Sequence, residues 1–195
     1  MSLQPHTDIL RLHDVKPDVV DRDIKLFLMT QLAAVMKNRS NCNIVGDWPS
    51  AHDVDVLCKK AAGFFIYAAT VVKFVASQHH PPDERLALIT SLPQDTSYEG
   101  KSGIDLLYTQ VLEQAFHNVD QDFYSHFKSV VRAVLLISHP LSINTLSDLL
   151  GDCGTPSKIY SALRALHSLL LVPDSMDDTV HIFDKSVPDF LTHPK

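Results

Sequence analysis

Residues 64–76 are apolar on almost every side of a helix, from Phe64 and Phe65 through Val71 and Val72 to Val75 and Ala76. A helix without a polar face has to be surrounded, so this stretch is expected to lie at the centre of a bundle. It is not expected to cross a membrane. The apolar run 61–76 falls short of the roughly 20 residues that a span requires, and Gly63, Thr70 and Lys73 interrupt it.

The flanking segments supply the surrounding helices. Val20, Ile24, Phe27, Leu28, Leu32 and Val35 recur at three- and four-residue spacing and predict one face of a helix starting near Asp18. Asp18, Asp21 and Asp23 stand at its start and Lys37 and Arg39 at its end, as the helix dipole favours. Ser50 and Asp53 read as a capping box with Asp in place of the usual Glu. Behind them Val54, Leu57, Cys58, Ala61 and Ala62 predict an apolar face. Pro81 and Pro82 open a further short helix, and residues 9–13 read as a short strand.

Residues 93–103 gather Pro, Gly, Ser, Asp and Thr and predict an exposed linker. Beyond it, Ile104, Leu107, Tyr108, Val111, Leu112, Ala115 and Phe116 form a helical stripe. Helices are expected over 123–138, 142–150 and from Pro156, the last with Ile159, Leu163, Leu166, Leu169 and Leu170 on one face. Residues 171–173 and 180–183 read as two strands around an acidic turn, and a short helix capped by Ser186 ends the pattern. Helices followed by a two-stranded hairpin is the winged-helix order. The expected fold is mostly α, with a helical subdomain over 1–92, a linker over 93–103 and a winged-helix domain over 104–195.

Composition excludes several functions. The chain of 195 residues has a net charge of −6, which gives no overall electrostatic case for nucleic acid or an anionic membrane. Three cysteines without a CxxC pair indicate neither a disulfide framework nor a zinc site, and an intracellular compartment fits best. Gly100-Lys101-Ser102 resembles the end of a Walker A loop, but the required upstream glycine position holds Asp95 and the preceding stretch is polar. No nucleophile-elbow Gly-x-Ser-x-Gly occurs, and the acidic clusters read as a helix start and a turn. The expectation is a protein that is not an enzyme, with no metal.

Several motifs in order carry a resemblance. These are Ala61-Ala62-Gly63-Phe64-Phe65-Ile66-Tyr67-Ala68-Ala69-Thr70, Ile104-Asp105-Leu106-Leu107-Tyr108, Pro140-Leu141-Ser142 with Leu149-Leu150-Gly151, and the closing Asp184-Lys185-Ser186-Val187-Pro188-Asp189-Phe190-Leu191. Together they resemble the helical and winged-helix region that follows the P-loop core in fungal NACHT-type signalling NTPases of the STAND class. The resemblance implies that Gly63, Phe65 and Asp184 occupy nucleotide-facing positions, in degenerate form. The family commonly has Gly-x-Pro at the first of these sites, where this chain has Gly63-Phe64-Phe65. Phe65 is expected in the core, with stacking on adenine as the alternative.

Asp184 stands where the family has a histidine that approaches a phosphate. A carboxylate only accepts hydrogen bonds and repels phosphate. ADP and ATP are therefore not expected to bind this chain alone. The implied function is a non-enzymatic, cytoplasmic regulatory module that packs against a NACHT nucleotide-binding domain, with C-terminal repeats as further partners in longer relatives. The alternatives are a DNA-binding winged-helix regulator and a truncated fragment without independent function. Against DNA, the recognition helix carries only Lys158, Arg164 and His167 as cations, and the wing carries Asp174, Asp177 and Asp178.

Overall fold

The computed structural model describes residues 16–39, 47–78, 80–93, 103–117, 119, 121–137, 139–151 and 154–192. The strand expected at 9–13 and most of the linker at 93–103 lie outside them.

Helix α1 (Pro17–Lys37) starts on Pro17, whose missing N–H costs nothing in a first helical turn. It buries Ile24, Leu28 and Leu32 completely. Helix α2 (Ala51–Ala61) begins with the expected capping box. Asp53 N donates to Ser50 Oγ at 3.1 Å, and Ser50 N donates to Asp53 Oδ2 at 3.3 Å. Ala62 departs from the expected apolar face. It is exposed, with a left-handed φ of 46°, because it ends the helix, and Gly63 continues the turn at φ 81°. Nothing lies within 4 Å of where a Gly63 side chain would start, so the glycine serves the backbone angle and not a tight fit.

Helix α3 (Phe65–Val75) is central. It packs against α1, α2, α4 (Pro82–Ser91) and α5 (Gly103–Ala115). Tyr67, Ala68, Val71, Phe74 and Val75 are buried there. Its N-terminal end emerges from the core, however. Phe64 is 66% exposed and Phe65 44% exposed. Phe65 meets Phe27 of α1 edge-on, with ring centroids 5.9 Å apart. The expectation that Phe65 is core is therefore corrected: as the first residue of α3, it lies at the bundle edge.

Helices α6 (Gln121–Leu136), α7 (Ile143–Leu150) and α8 (Pro156–Ala165) pack on one another. Ser142 caps α7 by accepting from Thr145 N at 3.2 Å. Strands β1 (Leu170–Leu171) and β2 (His181–Ile182) pair antiparallel, Leu170 opposite Ile182 and Leu171 opposite His181. A bridge between Ser142 and Thr179 ties the start of α7 to the hairpin. This is the helix order and hairpin of a winged helix. Helix α8 is shorter than the stripe 159–170 implied. It stops at Ala165, and Leu166, Leu169 and Leu170 are buried from the turn and strand that follow.

Helix α9 (Ser186–Thr192) closes the described chain and packs on α5. Ser186 is its first residue and not its cap. Asp184 does the capping, through Oδ1, which accepts from Ser186 N at 2.8 Å and from Ser186 Oγ at 2.7 Å.

Candidate functional site

The α2–α3 turn and the β2–α9 turn face one cavity of about 540 Å³. Ala62 and Phe64, the residues either side of Gly63, line it together with Asp184, Lys185 and Ser186. Of the three expected positions, Asp184 lines the cavity itself, while Gly63 lies between two lining residues without lining it. Phe65 turns toward α1, while Phe64 reaches the cavity instead.

The close approach of α5 to α2 completes the wall. A side chain on Gly103 would start 3.0 Å from the carbonyl oxygen of Lys60, so glycine lets the two backbones meet. Ile66, Leu92, Ile104 and Leu106 make most of the surface apolar. Among the described residues, Lys59, Lys60 and Lys185 line it beside the carboxylate of Asp184.

Lys60 is committed to structure. Its Nζ donates to the carbonyls of Ile89, Thr90 and Leu92 at 2.7, 2.9 and 2.6 Å, which satisfies the C-terminal end of α4. Burial pushes its ammonium down to about 8, while those carbonyls favour the charged form. Tyr67 offers an opposite kind of group. Its ring is buried on the cavity wall, its hydroxyl has no partner among the described residues, and burial pushes that hydroxyl up. Sequence reading did not single out Lys60, Tyr67 or Gly103 for this site. The apolar periodicity around them signals packing only.

Asp184 is already bonded within its own turn. Tyr108 OH lies 2.8 Å from Ser186 Oγ, which itself donates to Asp184. The carboxylate therefore terminates a chain of hydrogen bonds from α5 into the start of α9. Phe190 of α9 meets the Tyr108 ring edge-on at 5.3 Å. One oxygen of Asp184 holds the β2–α9 turn closed, so the residue has a structural role whatever lies in the cavity.

An adenine nucleotide fits this site in part. The apolar wall suits the face of a ring, but among the described residues the cations that phosphates would find are lysine side chains, one of them already bonded to α4. The sequence contains no Walker A loop to supply a cradle of backbone N–H groups. Among the described residues no group of three or more His, Cys, Asp and Glu gathers as a metal site. None of the described helices is long and apolar enough to cross a membrane.

The residues considered for DNA contact are partly occupied elsewhere. His167 lies with Nε2 3.0 Å from the carbonyl oxygen of Lys73 in α3 and Nδ1 3.1 Å from that of Arg164. Arg164 stacks over Tyr160 and lies 3.6 Å from Asp174. No protein-family model, curated protein or solved structure matches the chain.

Proposed function

We propose that the chain is a non-enzymatic regulatory and protein-interaction module of the NACHT/STAND kind, which packs against a P-loop nucleotide-binding domain in cis or in trans. The observation that carries this reading is the shared cavity. Two segments that the family places around its nucleotide, at Gly63 and at Asp184, stand on one wall although 121 positions separate them (184 − 63). The lip of that wall leaves Phe64 two-thirds exposed, where its ring can meet a partner surface. A nucleotide held by the partner would be closed over by this wall and not bound by the chain alone. The cytoplasm is the compartment that this reading implies.

Amide hydrogen exchange tests the reading. The chain is mixed with a separately expressed P-loop NTPase domain of the fungal NACHT type and exchange is followed along the sequence. Protection should concentrate at residues 62–66, 103–106 and 184–186. Exchange that slows elsewhere and leaves these three segments unchanged would contradict the proposal.

A further inference from the structure

Helix α1 carries a second apolar face besides the one that fills the bundle. Ile24, Leu28 and Leu32 point inward, where α2 and α3 pack, and are fully buried. Val19, Leu26 and Met29 are instead 37%, 65% and 48% exposed. At about 3.6 residues per turn they fall on the side of α1 away from the buried stripe.

The outer residues keep a strict spacing. Val19, Arg22, Leu26, Met29, Ala33 and Met36 follow one another in alternating steps of three and four. That alternation is the pattern of a helix packed along a second helix. Ala33 and Met36 are partly exposed, and the stripe runs for about 26 Å.

The stripe also matches its own reversal. Against a second α1 running the opposite way, Leu26 meets Met29 of the second copy, Val19 meets Met36 and Arg22 meets Ala33. The two most exposed apolar side chains of α1 then sit at the centre. The long stem of Arg22 lies over the smallest residue of the stripe, with its guanidinium free to reach water.

Charge follows the same register. Asp23 and the Lys37 of the second copy flank the seam on one side, and each leans toward its own helix start and so toward the other. The pair forms twice by symmetry. Both residues are exposed, and neither is ion-paired among the described residues. On the other flank Lys25 is held 2.6 Å from Asp55, which offsets its charge. A parallel pairing would set Arg22 against Arg22 inside the seam, where like charges repel. Self-complementarity in both shape and charge selects a second copy of this chain as the occupant.

We propose that the chain self-associates through α1, two copies pairing antiparallel along the stripe from Val19 to Met36. One helix pair of this length lies at the small end of specific interfaces, below about 1,200 Å² in total. The dimer is therefore reversible and depends on concentration. The pairing does not rest on the nucleotide-domain reading, since no residue of α1 lines the cavity beside Asp184.

Sedimentation equilibrium of the whole chain, from about 1 μM to 1 mM, tests it. The apparent mass should climb from one copy toward two. Leu26→Glu, at an exposed position that spares the fold, places a charge in the seam and should weaken the dimer about ten-fold or more. Asp23→Lys and Lys37→Asp should each weaken it about five-fold, and the two together should restore it to within about two-fold of the parent chain. A single-copy mass at every concentration, an unchanged dimer in Leu26→Glu, or a double variant no tighter than either single one would each overturn the proposal. A stripe protected by an added P-loop domain, in a chain that stays monomeric alone, would overturn it as well.

Discussion

Replacing Asp184 with alanine removes the acceptor for two hydrogen bonds at once, from Ser186 N at 2.8 Å and Ser186 Oγ at 2.7 Å. Loss of a helix-capping acceptor costs about 0.5–2 kcal/mol. The carboxylate here is half-buried, and the bond it shares with Ser186 also orients the Tyr108 hydroxyl. A value near the upper middle of that range, about 1.5 kcal/mol, follows. The loss is transmitted, because α9 carries fully buried Val187 and the Phe190–Tyr108 ring contact.

For a chain of this size 1 kcal/mol moves Tm by roughly 2–4 °C, so Asp184→Ala should lower it by about 3–6 °C. Asp184→Asn keeps a neutral acceptor oxygen and should lose about half as much. Asp184→His brings in the family's residue without the carboxylate and should cost about as much as alanine. Urea unfolding followed by far-ultraviolet circular dichroism reads these differences as midpoint shifts at constant slope. If Asp184→Ala unfolds within about 0.3 kcal/mol of the parent chain, the carboxylate does not cap α9 and the account of this turn is wrong.

Other expectations follow from the same contacts. Leu28→Ala empties a fully buried position of α1 and should cost about 2–5 kcal/mol in the same urea assay. Ser50→Ala breaks the capping box of α2 and should cost about 1 kcal/mol, with no larger effect from changing Asp53 as well, since the two act together. His167 is held below the usual 6.5, first by burial and then by the charges of Arg85 and Arg164, against the pull of the Lys73 and Arg164 carbonyls. The unfolded chain therefore takes up the proton first, so stability should fall as pH drops from 6.5 toward the folded value, and His167→Gln should show a shallower fall over that interval. Equal pH slopes for the two chains would remove His167 from the explanation.

Local signals carried much of the fold into view. The stripes on α1 and α5, the capping box at Ser50 and Asp53 and the proline starts of α4 and α8 depend on residues close in sequence. The central place of α3 followed from its lack of a polar face. What stayed hidden depends on distant partners. Phe65 belongs to an apolar run, and only the geometry of the α2–α3 turn brings it to the bundle edge beside Phe27. Asp184 caps α9 in concert with Tyr108, whose contact with Ser186 bridges 78 positions. His167 meets Lys73 across 94. The resemblance to NACHT proteins pointed to Gly63 and Asp184, but it could not foresee that Asp184 is bonded into its own turn, or that Lys60 is bonded into α4.

Titrating the purified chain with ADP and with ATP, while following phosphate release, tests the central claim most directly. A module that closes over a partner's nucleotide without processing it should release no phosphate above the protein-free rate. It should also show no saturable heat that disappears in Phe64→Ser, a variant of an exposed cavity residue. Micromolar binding that Phe64→Ser abolishes, accompanied by hydrolysis of ATP, would contradict the account.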